Sequence, residues 1–274
     1  MSPLRCLING HPEERVGVAN RALQYGDGLF ETIPVQDGRL VLWSEHLERL
    51  AEGALRLGLA PIDRALLTRE ATELALGTQL AILKLILARV ASGRGYRALS
   101  HETDRILTLW PWPKRDLPEE GVDLMWCQTR LARQPRLAGL KHLNRLEQVL
   151  AQQELGSRYF EGLMQDTEGW LIEGTMSNVF LSEGDVLITP SLDQAGVAGI
   201  MRARVIVCAQ ELGLALHIEP ISCERALKAD ELFLTNSIFG ICPVRTLAKR
   251  HYGYGPMTRK INEAIKASGD VALP

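Results

Sequence analysis

The chain has 274 residues, 31 basic and 33 acidic, with a formal net charge of −2 and 46% hydrophobic residues. That length fits one large domain or two modest ones, and a 23% charged fraction at this apolar content excludes a disordered chain. The near-neutral balance, without a basic block, speaks against nucleic-acid binding.

The opening stretch, MSPLRCLINGHPEERVG, lacks the apolar core of a secretory signal. Thr32 to Leu42 has an Asp37-Gly38 turn between apolar runs and predicts a hairpin. Ser44 is placed to cap a helix whose Leu47, Leu50, Ala51, Ala54 and Leu57 recur at helical spacing, and Asp63 to cap a second helix to about Leu76. Strand-like runs follow at Leu80–Val90 and Arg105–Trp110, separated by the loop Ser92-Gly93-Arg94-Gly95-Tyr96. Leu80–Val90 is the most apolar stretch. Lys84 and Arg89 interrupt it and it is too short to span a bilayer, so no membrane segment is expected. The stretch 111–121, with three prolines and many charges, predicts a linker over 115–121 between a small domain over 1–114 and a larger one over 122–274.

Beyond the linker, the pattern predicts a strand over Val122–Gln128 and a helix opened by Asn144, with Glu147 at capping-box spacing. Turns at Glu168-Gly169 and Glu183-Gly184-Asp185 separate apolar runs ending in Ile172, Leu181 and Thr189. A helix from about Ile200 should stop at Gly213 in a left-handed cap. Strands near Leu214–Ile218 and Leu232–Thr235 and a last helix over Met257–Ala267 complete an α+β chain. Five widely spaced cysteines (Cys6, Cys127, Cys208, Cys223, Cys242) form no C-x-x-C, and the six histidines never pair at ligand spacing. A reduced, cytoplasmic protein without a metal site is expected.

No P-loop, G-x-G-x-x-G, H-E-x-x-H or G-x-S-x-G is present. Lys141, flanked by Leu140 and Leu143, suits an amine held in an apolar pocket, where desolvation frees it as nucleophile or base. Read alone, it more often fits a solvated lysine before a helix. Glu173, between two strand-like runs, reads on its own as a surface glutamate. A wheel at about 100° per residue puts Arg49 opposite the stripe centred on Leu47 and Leu50, in water.

Taken together, these segments resemble the fold-type IV pyridoxal-phosphate enzymes. The matching stretches are Gly26-Asp27-Gly28-Leu29-Phe30-Glu31, His46-Leu47-Glu48-Arg49, the Lys141 segment, Glu173 through Phe180, and Gly196 through Arg202. The resemblance implies a small amino-terminal α/β domain, a larger mixed carboxy-terminal domain and a homodimer. It implies that Lys141 bonds the aldehyde of pyridoxal 5'-phosphate and that Glu173 sits at the pyridine nitrogen. Arg49 would hold the phosphate with the backbone amides of Ile200 and Met201 at a helix start, and Ser237 would add a further contact. His46 would be a packing or hydrogen-bonding neighbour, and Ser177 and Asn178 would brace local turns.

Within that class, Leu137–Val149, Leu192–Val197, Gly93–Tyr96 and Leu83-Lys84 look like the aminodeoxychorismate-lyase branch rather than the aminotransferases. Thr32 matches the threonine of that branch; Ser237 departs from lyases that carry alanine there. The branch implies a dicarboxylate substrate, with Arg94 and Lys84 as cationic partners, Tyr96 and Asn236 as further contacts, and Thr32 assisting proton transfer. The reaction implied is release of pyruvate from 4-amino-4-deoxychorismate to leave 4-aminobenzoate, a folate precursor. Read without the resemblance, Lys84 is an edge-strand charge, Arg94 a solvated loop residue and Tyr96 loop packing. An aminotransferase on the same scaffold is the alternative activity, and a non-catalytic binding protein the alternative of a different kind.

Overall fold

A computed structural model describes residues 2–91, 93–113 and 117–272. They fall into two compact units, one of Met1–Lys114, Leu140–Asn144 and Ala272–Pro274, the other of Arg115–Gly139 and Arg145–Val271.

In the first unit β1 (Arg5–Ile8), α1 (Arg21–Tyr25), β2 (Gly28–Gln36), β3 (Arg39–Leu40), α2 (Trp43–Leu57), α3 (Arg64–Ala75), β4 (Leu80–Arg89) and β5 (Thr103–Pro111) follow one another. Among the described residues the strands form one antiparallel sheet in the order β1-β5-β4-β2-β3. The side-chain period of two sends Ile33, Val35, Leu83, Leu85, Leu87, Leu107 and Leu109 into a core with the apolar stripes of α2 and α3. Phe30, Thr32, Lys84, Ile86 and Thr108, on the other face, are half-buried. Asp37 and Gly38 both take positive φ, 50° and 73°, the geometry of the predicted hairpin turn. Asp63 caps α3 as expected, its Oδ1 accepting the Leu66 amide at 2.9 Å. Ser44 does not cap α2. That helix begins one residue earlier behind Leu42, which is left-handed at φ 52°, because the Val41 amide still bonds back to Pro34 and turns the chain there.

The second unit contains β6 (Val122–Trp126), α4 (Leu146–Gln153), β7 (Glu161–Gln165), β8 (Trp170–Gly174), β9 (Asn178–Glu183), β10 (Val186–Pro190) and α5 (Ile200–Glu211). After these come β11 (Ala215–Glu219), β12 (Ile221–Ser222), α6 (Cys223–Lys228), β13 (Glu231–Asn236), β14 (Gly240–Leu247), β15 (Arg250–His251) and α7 (Pro256–Ala267). The described strands make a mixed sheet, β11-β10-β9-β13-β14-β6-β7-β8-β12, with β15 paired to β14. β14 has no expectation behind it, and its Pro243 is a residue that disfavours a central strand. It nonetheless lies between β13 and β6, with parallel pairing to β6 starting only at Val244. Gly213, φ 68°, ends α5 as predicted, the Leu214 amide reaching back to Ala209.

The helix expected to open at Asn144 starts two residues later. Asn144 instead donates from Nδ2 to the Gly26 carbonyl at 3.1 Å, and Glu147 accepts the Ala132 amide at 2.9 Å, so neither side chain serves a capping box. Leu140–Asn144 groups with the first unit, not with 122–274 as the sequence reading had it. The Phe30 amide donates to the Lys141 carbonyl and the Leu143 amide to the Gly28 carbonyl, each at 3.0 Å, adding this segment to the open edge of β2. Of the expected linker, residues 115 and 116 lie outside the described ones, while Leu117 packs on the second unit's core. No described helix is long and apolar enough to cross a membrane, and the described residues hold no group of three or more His, Cys, Asp or Glu side chains suited to a metal.

Candidate active site

In the first unit the period of two splits β2 into two chemistries. Glu31 points inward, 1% exposed, and meets two residues one turn apart on α2. Arg49 donates from Nε to Glu31 Oε1 at 2.8 Å and from Nη2 to Oε2, a bidentate pair. His46 Nδ1 lies 2.6 Å from Oε2. Burial pushes the Glu31 carboxyl up, but the Arg49 charge, His46 and their hydrogen bonds outweigh it and hold the pKa at about 2. Burial pushes the His46 imidazole down, so the neutral ring donates its Nδ1 proton to Glu31, and Nε2 is a buried nitrogen without a hydrogen-bond partner among the described residues.

Arg49 is therefore not the solvated residue of the helical wheel. Its side chain is only 13% exposed, drawn in by a carboxylate 18 residues earlier. Sequence reasoning missed Glu31. Its signal was a carboxylate at an inward position of a strand whose neighbours Ile33 and Val35 are core, where an acid needs a partner. The pairing predicts a pH dependence. A carboxyl held below its ordinary 4.5 contributes stability that is present above pH 4.5 and lost as pH falls toward about 2. Glu31→Ala should cost about 3–5 kcal/mol at neutral pH, because it strands buried Arg49 and His46. Thermal unfolding across that window should show the wild type losing more stability than the variant.

On the opposite face of β2, the Lys141 Nζ lies 4.3 Å from the centre of the Phe30 ring and the Lys84 Nζ 5.4 Å from it. Lys141 is half-buried, neither sealed in an apolar pocket nor solvated. Thr32, Lys84 and Thr108 are register partners in a row across β2, β4 and β5. The structure thus brings together Lys141, Lys84 and Thr32 around Phe30. Arg94 and Tyr96 are on an exposed loop. Tyr96, 88% exposed, meets Tyr25 edge-on at 5.5 Å, and Arg21 holds the loop through the carbonyls of Gly95 and Tyr96.

In the second unit, Glu173 on β8 is buried, not the surface glutamate it resembles in isolation. Its Oε2 accepts the Val197 amide at 2.8 Å and the Asn178 Nδ2 at 3.4 Å. Gly196, φ 88°, is needed there: a Cβ would stand 2.7 Å from Ile172 Cγ2 and 3.3 Å from Glu173 Oε2. Four residues on, α5 starts at Ile200 and Met201 behind Gly199, with no side-chain cap and no acid in its first turn. Such a helix start suits an anion. Arg202, in that turn, bonds the Pro190 carbonyl and Thr189 hydroxyl; burial pushes its pKa down and Glu173 opposes this.

Asn236 was expected to offer donor and acceptor to a substrate. The fold uses both: Oδ1 accepts the amides of Ile238 and Phe239, and Nδ2 donates to the Met176 carbonyl. Ser237 is half-buried in the turn this makes. A second carboxylate without a sequence expectation, Glu161, is buried and accepts from the Met176 amide at 2.7 Å and the Ser177 hydroxyl at 2.9 Å. It fixes the turn that links Glu173 to β9.

The sequence pattern of the family described as amino-transferase class IV matches residues 28–247. The chain belongs to that family. An aminodeoxychorismate lyase of Vibrio harveyi is 34% identical over 262 residues, covering 93% of this chain and 97% of that protein. The crystal structure of 4-amino-4-deoxychorismate lyase from Pseudomonas aeruginosa superposes with a TM-score of 0.92 at 42% identity, over 97% of this chain and 99% of that one. A branched-chain aminotransferase from Thermoproteus uzoniensis gives 0.86 at 26% identity, over 96% and 94%. The class IV fold is shared by both kinds of relative, and the Vibrio and Pseudomonas lyases are the more similar of these three in sequence.

Proposed function

We propose that this class IV chain is a pyridoxal-phosphate-dependent lyase that cleaves 4-amino-4-deoxychorismate to 4-aminobenzoate and pyruvate. The observation that carries this reading is the 42% identity to a lyase over 97% of this chain and 99% of that one, against 26% to an aminotransferase over 96% and 94%. The residues suit the cofactor: an uncapped, acid-free helix start at Ile200 for a phosphate, a buried carboxylate at Glu173 for a protonated ring nitrogen, and a half-buried amine at Lys141 for an aldehyde.

The bound cofactor supplies a protonated ring that draws electrons from the substrate carbon bearing the amine. Lys141 would hold the cofactor aldehyde and, as a free amine, would accept the C4 proton at Nζ. Glu173 keeps a proton at the ring nitrogen. Arg49, oriented by Glu31, binds the phosphate with the Ile200 and Met201 amides, and Ser237 adds a contact. Thr32 donates from its hydroxyl toward the departing enolpyruvyl oxygen, while Lys84 and Arg94 meet the two substrate carboxylates. Tyr96 and Asn236 complete the substrate contacts; for Asn236 this requires its turn to open. The enzyme is a cytoplasmic homodimer in this reading, resting on its resemblance to the class.

Incubation with pyridoxal phosphate and 4-amino-4-deoxychorismate should release pyruvate and 4-aminobenzoate in equal amounts without an amino acceptor. Amino transfer from D-alanine or a branched-chain amino acid to 2-oxoglutarate, with no pyruvate from the chorismate, would establish the aminotransferase instead.

A further inference from the structure

Asn178 does more than brace a local turn. Its Nδ2 donates to the Val197 carbonyl at 2.9 Å, 19 residues away, and to Glu173 Oε2 at 3.4 Å. The Val197 amide donates to the same Glu173 oxygen at 2.8 Å. Both polar backbone groups of Val197 are therefore closed into a ring with Glu173 and Asn178. On the other side of the amide, Asn178 Oδ1 lies where a Cβ on Gly199 would be 2.0 Å away. Only a residue without a side chain lets it sit against the first turn of α5. Asn178 is itself buried, and its backbone is in register with Thr235 across β9 and β13. The far side of the same segment is fixed too, with the Gly139 amide on the Gly196 carbonyl at 2.9 Å and the Ala198 amide on the Gly139 carbonyl at 3.0 Å.

We infer that Asn178 is a positioning residue that locks the Glu173 carboxylate to the segment opening α5, so that one amide sets the supports for the ring nitrogen and for the phosphate of the cofactor. The inference rests on the pyridoxal-phosphate reading above. The chemistry demands an amide. Two oxygens, Glu173 Oε2 and the Val197 carbonyl, face Nδ2, and an amide nitrogen offers a proton to each. An aspartate of the same shape would set oxygen against both, beside a like charge.

The test is equilibrium titration of the apoenzyme with pyridoxal phosphate, comparing wild type, Asn178→Asp, Glu173→Gln and the double variant. Asn178→Asp should raise the Kd about tenfold, the size expected for losing a hydrogen bond to a charged group. It should also weaken competition by inorganic phosphate, which engages the phosphate supports, the α5 start among them, and not Glu173. In the Glu173→Gln background the same change should cost less than about threefold, since a glutamine amide can donate to the new carboxylate. Asn178→Ser, which removes both donors without adding charge, serves if the aspartate variant does not fold, and should shift Kd in the same direction. Wild-type affinity in both Asn178 variants, or an equal penalty in both Glu173 backgrounds, overturns the inference alone. A wild-type protein that takes up no borohydride-reducible cofactor overturns the cofactor reading and this inference with it.

Discussion

In the Lys141→Ala variant turnover is expected to vanish, a fall of about 10⁴-fold or more, because one amine is asked both to hold the cofactor and to move the C4 proton. The structure makes the assignment testable against a neighbour. Lys84 also lies over the Phe30 ring, at 5.4 Å against 4.3 Å for Lys141. The two differ in how they are held: Lys84 is mid-strand in β4, opposite Thr32, whereas Lys141 is on the short segment added to the edge of β2. Borohydride reduction of the loaded enzyme followed by peptide mapping should label Lys141 and not Lys84. The label at Lys84, or residual activity within a hundredfold of wild type in Lys141→Ala, would reassign the role.

Glu173→Gln should lower kcat by about 10²–10³-fold while leaving KM nearly unchanged, since it removes a charge that matters in the transition state more than in binding. Glutamine keeps the shape and can still accept the Val197 amide that now bonds Oε2 at 2.8 Å, so the fold around Gly196 survives and the charge is isolated as the variable. Unfolding temperature within a few degrees of wild type, with a shifted visible spectrum of the bound cofactor, is the expected companion. A kcat within threefold of wild type would remove Glu173 from the ring nitrogen.

Much of this site is legible along the chain, and the residues that are not share a cause. The two long helices of the first unit, the Asp37-Gly38 hairpin and the Gly213 stop follow from period and from which residues accept positive φ. Those are local properties. Helix starts were read less well. Ser44 and Asn144 have the chemistry of caps, yet α2 starts behind Leu42 and Asn144 is spent on a carbonyl 118 residues away. A short polar side chain bonds whichever partner the fold presents, and spacing along the chain does not name that partner. β14 carries no expectation at all: its Pro243 is locally unsuited to a central strand, and the sheet accepts it by pairing with β6 only beyond it.

The sequence by itself determined the helices and strands that carry a clear period, the α+β class and, through its resemblance, the family and its lysine and glutamate. Only the tertiary structure decided what surrounds them. Arg49 leaves the solvated side of its helix because Glu31, on a different element, is buried with no water to serve it. Asn178 turns from a local brace into the link between Glu173 and the start of α5 because β8, β9 and the Gly196–Gly199 segment converge there. Periodicity assigns a face to a residue, but a buried charge or amide is held by whatever partner long-range packing delivers, and that partner is written in no local pattern.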